Sequence, residues 1–220
     1  MLWAHKKSKL SQSMSKRSLF ITFEGGEGAG KTTLIEGIFR HLTAKGFTVL
    51  KTREPGGTKM GEQIRALLLE NGQGKVFPLA ELSLFLASRA QHIGEVILPA
   101  LEAGKIVLCD RFNDSSVAYQ GIARGLGKEG VLRSCAFISQ GLEPKLTFYL
   151  DIEPSLGLSR VQRTRTQDRI EQEGLSFHAK IRQAYLELAA ENPKRIHILD
   201  ASLPKERVLQ EAMAAIDSYV

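Results

Sequence analysis

Eight consecutive residues, Gly25-Gly26-Glu27-Gly28-Ala29-Gly30-Lys31-Thr32, limit the folds open to this chain more than any other feature. They read glycine, four residues, glycine, lysine and a hydroxyl residue. The apolar run Leu19 to Glu24 precedes them, and an amphipathic segment from Lys31 to about Lys45 follows. A strand, a glycine turn and a helix N-terminus in that order make a phosphate cradle. The glycines permit positive φ and leave no side chain in the way, so successive N–H groups converge on one anion. The positive end of the helix dipole adds to the attraction. Lys31 is expected to neutralise the outer phosphates of a bound nucleotide, and the Thr32 hydroxyl to ligate magnesium. The rival reading is a glycine turn that happens to precede a helix.

Apolar runs of four to six residues alternate with helix-like segments through the rest of the chain, which predicts an α/β fold with a parallel sheet. Strands are read at Leu19 to Glu24, Thr48 to Thr52, Ile106 to Asp110, Leu146 to Asp151 and Ile196 to Leu199. Apolar residues at helical spacing from Leu79 to Leu101, with Pro99 and Gly104 near the end, predict one long, largely buried helix. With 220 residues, 43% of them hydrophobic and no internal repeat, a single domain over 18–220 is the simplest organisation. Residues 1–17 are polar and basic without apolar periodicity and read as a disordered extension; Met14 is an alternative start.

The formal charge of +6 is concentrated in two places. One is the N-terminal stretch with Lys6, Lys7, Lys9, Lys16 and Arg17; the other is Arg160, Arg163, Arg165 and Arg169. That distribution suits phosphate ligands better than nucleic acid or a membrane surface. No apolar run approaches the roughly 20 residues of a membrane span. Cys109 and Cys135 have neither metal-site nor disulfide-framework spacing, which points to a reducing compartment, the cytoplasm.

The strand Ile106-Val-Leu-Cys-Asp110 ends in a carboxylate placed to reach a metal ion or its waters, and Arg111 follows at once. Asp110 alone would be as well explained by a turn or an N-cap. The pair puts an anion and a cation at the carboxyl edge of the sheet, where open α/β folds bind ligands. No Asn-Lys-x-Asp guanine-reading sequence is present, which argues against a GTPase.

Three further stretches, in this order and spacing, resemble the thymidylate kinase family over essentially all of the chain from Ser18 onward. They are Arg53-Glu-Pro-Gly-Gly-Thr58, Asp110-Arg-Phe-Asn-Asp-Ser-Ser-Val-Ala-Tyr-Gln-Gly121, and Asp168-Arg-Ile-Glu171 followed by Phe177, Arg182 and Tyr185. The resemblance implies a phosphate-loop fold with five parallel strands and a short mobile lid, about 159–172. It implies phosphorylation of dTMP to dTDP with ATP and Mg2+, on the way to dTTP for DNA synthesis, by a homodimer that needs neither nucleic acid nor a membrane.

By the same resemblance Gly25 through Thr32 hold the ATP phosphates, Thr32 and Asp110 serve the metal, and Glu27 lies near the acceptor or the metal. Arg111 contacts the acceptor phosphate. Phe85 and Arg89, four apart and therefore on one helix face, would stack on thymine and donate to a base carbonyl. Ser116 and Tyr119 would lie near the base and the sugar, and Arg53 near the acceptor phosphate. Rival readings are core packing for Phe85, a surface serine, a buried tyrosine, and a loop salt bridge for Arg53. The loop lacks an arginine at its centre, which resembles the branch of the family whose catalytic cation comes from the lid. That makes Arg160, Arg163 and Arg165 catalytic candidates beside Lys31 and Arg111, against the alternative of a solvated helix face. The remaining rivals are a kinase for another nucleotide and an ATP-binding protein without turnover. The homodimer would use apolar faces of the helix from Leu79 to Leu101 and its neighbour.

Overall fold

The computed structural model describes residues 18–72, 74–163 and 166–220. The basic stretch 1–17 and Arg165 lie outside the described residues. Five parallel strands, β1 (Leu19–Gly25), β2 (Val49–Arg53), β3 (Ile106–Asp110), β4 (Leu146–Asp151) and β5 (Ile196–Asp200), form one sheet in the order β2-β3-β1-β4-β5. The helices are α1 (Lys31–Ala44), α2 (Lys59–Leu69), α3 (Pro78–His92), α4 (Leu98–Glu102), α5 (Asn113–Ser116), α6 (Lys128–Ile138), α7 (Pro154–Gln162), α8 (Leu175–Glu191) and α9 (Lys205–Ile216). Among the described residues no helix is long and apolar enough to cross a membrane. The sequence locates every strand to within a residue at each end.

β1 is buried along its whole length, as a central parallel strand covered on both faces must be. Its alternation divides the core. Leu19, Ile21 and Phe23 pack with Leu34, Ile38 and Leu42 of α1 and with Val208, Ala212 and Ile216 of α9. Phe20 points the other way, to Ile93, Ile97, Leu101 and Phe112. Thr22 shares that second face and meets Thr147 of β4, hydroxyl to hydroxyl, at 2.7 Å. The chain leaves β1 for the β3-β2 side and returns to the β4-β5 side, so the end of β1 is a topological switch point, where open α/β sheets form their ligand crevice.

The long helix expected from Leu79 to Leu101 is not one regular helix. It starts on Pro78, runs to His92, loosens into a π-helical turn over Ile93–Ile97, and resumes as α4. Pro99 supplies the reason: it has no N–H to give the carbonyl four residues back, and its ring crowds that carbonyl, so the preceding turn widens. A second π-helical stretch, Val117–Ala123, continues α5 and carries Tyr119 and Gln120.

The phosphate loop meets α7 backbone to backbone. A Cβ on Gly28, whose φ is +66°, would lie 2.0 Å from the Gly157 carbonyl oxygen, and a Cβ on Gly157 would lie 2.2 Å from the Glu27 carbonyl oxygen. Only glycine at both positions allows this approach. Gly157→Ala is therefore expected to push α7 off the loop and to cost on the order of 1–3 kcal/mol of stability. A lower urea midpoint at unchanged m-value would register that loss; an unchanged midpoint would show that the two backbones part freely.

Candidate active site

Gly30 takes a left-handed conformation, φ 91°, just ahead of α1, and so aims the first N–H groups of the helix into the loop. Lys31 is buried, and its Nζ donates to the carbonyls of Gly25 and Gly26, both at 3.1 Å. Burial and the nearby Arg111 charge depress the Lys31 pKa, and Asp110, Glu27 and Glu24 oppose that shift. The loop lines two adjoining hollows. One, of about 470 Å3, runs from Lys31 past Arg53, Phe85 and Arg111 to Ser116 and Tyr119, a usual size for a small-ligand site. The other, of about 1020 Å3, lies between the loop, Arg40, Arg160 and the stretch from Ala201 to Lys205. Thr32 borders both.

Arg111 is the hub of the first hollow. It follows the last residue of β3 with φ 72°, a left-handed conformation that costs a non-glycine residue about 1–2 kcal/mol. A hydrogen bond from its backbone N to the Phe23 carbonyl, 3.0 Å, pins the turn. Its Nη2 donates to Glu27 Oε1 at 2.7 Å, its Nη1 lies 3.3 Å from Ser115 Oγ and 3.4 Å from Tyr185 Oη, and its guanidinium sits 4.9 Å from the centre of the Tyr119 ring. The Tyr119 hydroxyl donates to the same Glu27 oxygen at 2.7 Å. Burial works against ionisation of Glu27, but the Arg111 and Lys31 charges and the Tyr119 hydrogen bond outweigh it and hold the carboxyl at about 2.

Asp110 lines the hollow beside Lys31 and Thr32, and its Oδ1 is buried without a hydrogen-bond partner. An acceptor-only oxygen left unpaired in that setting suits a cation. Among the described residues no three acidic, histidine or cysteine side chains cluster as a metal cage. Magnesium needs no such cage, since one carboxylate, a hydroxyl and phosphate oxygens suffice.

Most of the expected residues converge here. Phe85 is half-buried with its ring at the wall. Arg53 lines the hollow and also pairs with Glu62 at 2.8 Å, so the loop salt bridge is present as well. The turn after it contains a cis Glu54–Pro55 peptide. Arg89, in contrast, is 1% exposed and lies outside the lining, behind Ser116. Its Nε donates to Glu54 Oε2 at 2.6 Å, its Nη1 to Ser116 Oγ at 3.0 Å and to Cys135 Sγ at 3.5 Å, and its Nη2 to the Phe112 carbonyl at 3.0 Å. The buried carboxylate of Glu54 draws it inward.

The lid arginines part company. Arg160 borders both hollows, and its Nη1 donates to the carbonyls of Ala201 at 3.1 Å and Gly28 at 3.4 Å. Arg163 is exposed at the end of α7 and outside both linings. Arg169 is engaged elsewhere, by Glu81 of α3 at 2.7 Å and the Leu68 carbonyl at 2.9 Å. The wall also includes Arg65, Gln120, Asp168 and Glu171, which the sequence reading gave no role. For three of them a signal existed, since Gln120 lies within the segment from Asp110 to Gly121 and the other two bound Asp168-Arg-Ile-Glu171. Arg65 had none.

The chain is similar to known proteins over most of its length. The sequence profile of the thymidylate kinase family matches residues 23–212. The chain is 48% identical to a thymidylate kinase of Protochlamydia amoebophila over 209 residues, 91% of this chain and 93% of the relative. It is 47% identical to one from Geobacillus sp. over 199 residues, 90% of this chain and 95% of that one. The crystal structure of thymidylate kinase from Ehrlichia chaffeensis superposes with a TM-score of 0.72 at 31% identity, covering 90% of this chain and 98% of that one.

The Glu27 carboxyl titrates at about 2 in the folded protein and near 4.5 as an ordinary glutamate. Its ion pair therefore stabilises the fold fully above about pH 4.5, and that contribution is lost as pH falls toward 2. Glu27→Gln is expected to cost on the order of 1–3 kcal/mol near neutral pH. The gap to the native protein should narrow in urea titrations at successively more acid pH. A gap independent of pH would remove the ion pair as its source.

Proposed function

This chain belongs to the thymidylate kinase family, and we propose how its side chains divide the work of moving the γ-phosphate of ATP onto dTMP. The protein phosphorylates dTMP to dTDP, in the supply of dTTP for DNA synthesis. The observation that carries the division of labour is the Arg111–Glu27 pair standing beside the phosphate loop in one hollow with Phe85.

Phosphoryl transfer asks for alignment and charge stabilisation rather than covalent help from the protein. Gly25 to Thr32 wrap the ATP phosphates, and Lys31 exchanges its two loop carbonyls for the phosphate oxygens. The adenosine end of ATP lies in the second hollow, between Arg40, Arg160 and the stretch from Ala201 to Lys205. In the first hollow Arg111 and Arg53 hold the dTMP phosphate in line with the donor, and Glu27 keeps Arg111 aimed at it. Phe85 stacks on thymine and Ser116 faces the base. Arg89 has only the Nη2 hydrogen that Phe112 does not take with which to reach a base carbonyl; its other donors hold the wall. Tyr119 packs where a ribose 2′-hydroxyl would project, which favours the deoxy sugar.

The unpaired Asp110 oxygen and the Thr32 hydroxyl would hold magnesium, which would supply charge neutralisation on the phosphates. Arg160 is the lid cation best placed for the transferring phosphoryl group, and Arg163 and Arg165 are the further lid candidates. Met60 and Leu67 on α2 and Phe77 and Leu79 at the start of α3 are 47–67% exposed, an apolar surface suited to a homodimer. The free Cys109 and Cys135 support a cytoplasmic location.

A coupled assay over dTMP, dUMP, UMP, CMP, AMP and GMP is expected to give a clear preference for dTMP. In it Lys31→Ala should abolish turnover, and Arg160→Ala should lower kcat by on the order of 10³ with little change in KM. Native speed in Arg160→Ala would take that residue out of the chemistry. Light scattering should report a dimer that Phe77→Asp with Leu79→Asp dissociates; a native monomer would refute the interface.

A further inference from the structure

We propose that Glu24 is a positioning residue for Arg111, acting through the Ser115 and Tyr185 hydroxyls, whose lone pairs it turns toward the guanidinium. The inference rests on the reading that Arg111 holds the acceptor phosphate.

Glu24 is the last carboxylate of β1 and is 0% exposed. Its Oε1 accepts the Phe112 N–H at 2.7 Å. Its Oε2 accepts from Ser115 Oγ at 2.5 Å and from Tyr185 Oη at 2.9 Å, and those two hydroxyls are 2.8 Å apart. Both hydroxyls also lie against Arg111 Nη1, at 3.3 and 3.4 Å. The loop to Arg111 thus closes through three elements, β1, α5 and α8.

Hydrogen counting gives this cluster a direction. A guanidinium only donates, so each hydroxyl must show Arg111 a lone pair and spend its single hydrogen elsewhere. One hydroxyl can pass its hydrogen to the other, but the second must still find an acceptor away from Arg111, or its hydrogen faces the cation. An ionised carboxylate only accepts, so its Oε2 takes whichever hydroxyl hydrogens remain and resolves the conflict. In Glu24→Gln the Phe112 N–H keeps the amide oxygen and leaves the NH2 facing the hydroxyls, which turns at least one hydroxyl hydrogen toward Arg111.

Keeping a charge at this depth is costly. Burial and the neighbouring Asp114 outweigh the pull of Ser115, Arg111 and Tyr185 and raise Glu24 to about 7, so ligand titrations are made at about pH 8, where it is ionised. Asp114 is itself held by Arg195 at 2.6 and 2.9 Å.

Thymidine separates positioning from mere support, because it lacks the phosphate that Arg111 holds yet fills the rest of the hollow. Calorimetric titration of dTMP and of thymidine into the native protein and Glu24→Gln is expected to show dTMP affinity down on the order of tenfold or more. Thymidine affinity should stay within about twofold, less than 0.5 kcal/mol. Tyr185→Phe, which removes one of the two lone pairs and keeps the ring, should shift the same ratio in the same direction by less; it serves alone if Glu24→Gln does not fold. Equal losses for both ligands, or no loss for either, would overturn the inference. Arg111→Ala reads the premise separately. If it leaves the dTMP-to-thymidine ratio intact, the phosphate reading falls and this inference with it. If it collapses the ratio while Glu24→Gln and Tyr185→Phe do not, this inference falls alone.

Discussion

Two like charges, Lys31 and Arg111, enter the same partly buried hollow, and much of the surrounding structure is arranged to let them stay there. Arg111 depresses the Lys31 pKa, so the pair repels. Carboxylates are interleaved to offset it: Glu27 directly against Arg111, Asp110 at the end of β3, Glu24 beneath. The loop carbonyls of Gly25 and Gly26 take the lysine itself. A highly anionic ligand does the same offsetting more strongly, which is why a cation-rich site can be both tolerated by the fold and suited to phosphate.

The sheet order turns that local balance into a site. Parallel pairing of β1 with β3, Phe23 opposite Asp110, brings the phosphate loop and Arg111 to the same edge although 80 residues or so of chain separate them. A left-handed turn at Arg111 ends the strand there, and the arginine side chain meets Glu27. Strain of this kind persists where surrounding contacts over-determine it, and here a backbone bond, an ion pair and two hydroxyls do so.

Much of this was legible in the sequence because it is written locally. Buried strands show as short apolar runs, and the glycine loop shows as spacing within eight residues. What was not legible depends on contacts across the chain. Arg89 and Phe85 share a helix face by spacing, yet Glu54, far away in sequence, pulls the arginine behind the wall. Arg169 belongs to a basic cluster by composition, yet a buried Glu81 claims it. Glu24 looked like the mere end of a strand; its importance appears only when Ser115 and Tyr185 fold over it. Pro99 did carry a warning, but a helix that widens before a proline and one that ends there look alike in periodicity alone.

The glycine pair at Gly28 and Gly157 has a consequence for how such a site can change over evolutionary time. Any side chain at position 28 must occupy the space that the α7 backbone fills, so a cation cannot be added at that position while α7 keeps its seat. Supplying positive charge from position 28 and supplying it from α7 are thus mutually exclusive solutions in this geometry. A lineage moving from one to the other would have to shift a whole helix, not merely relocate an arginine.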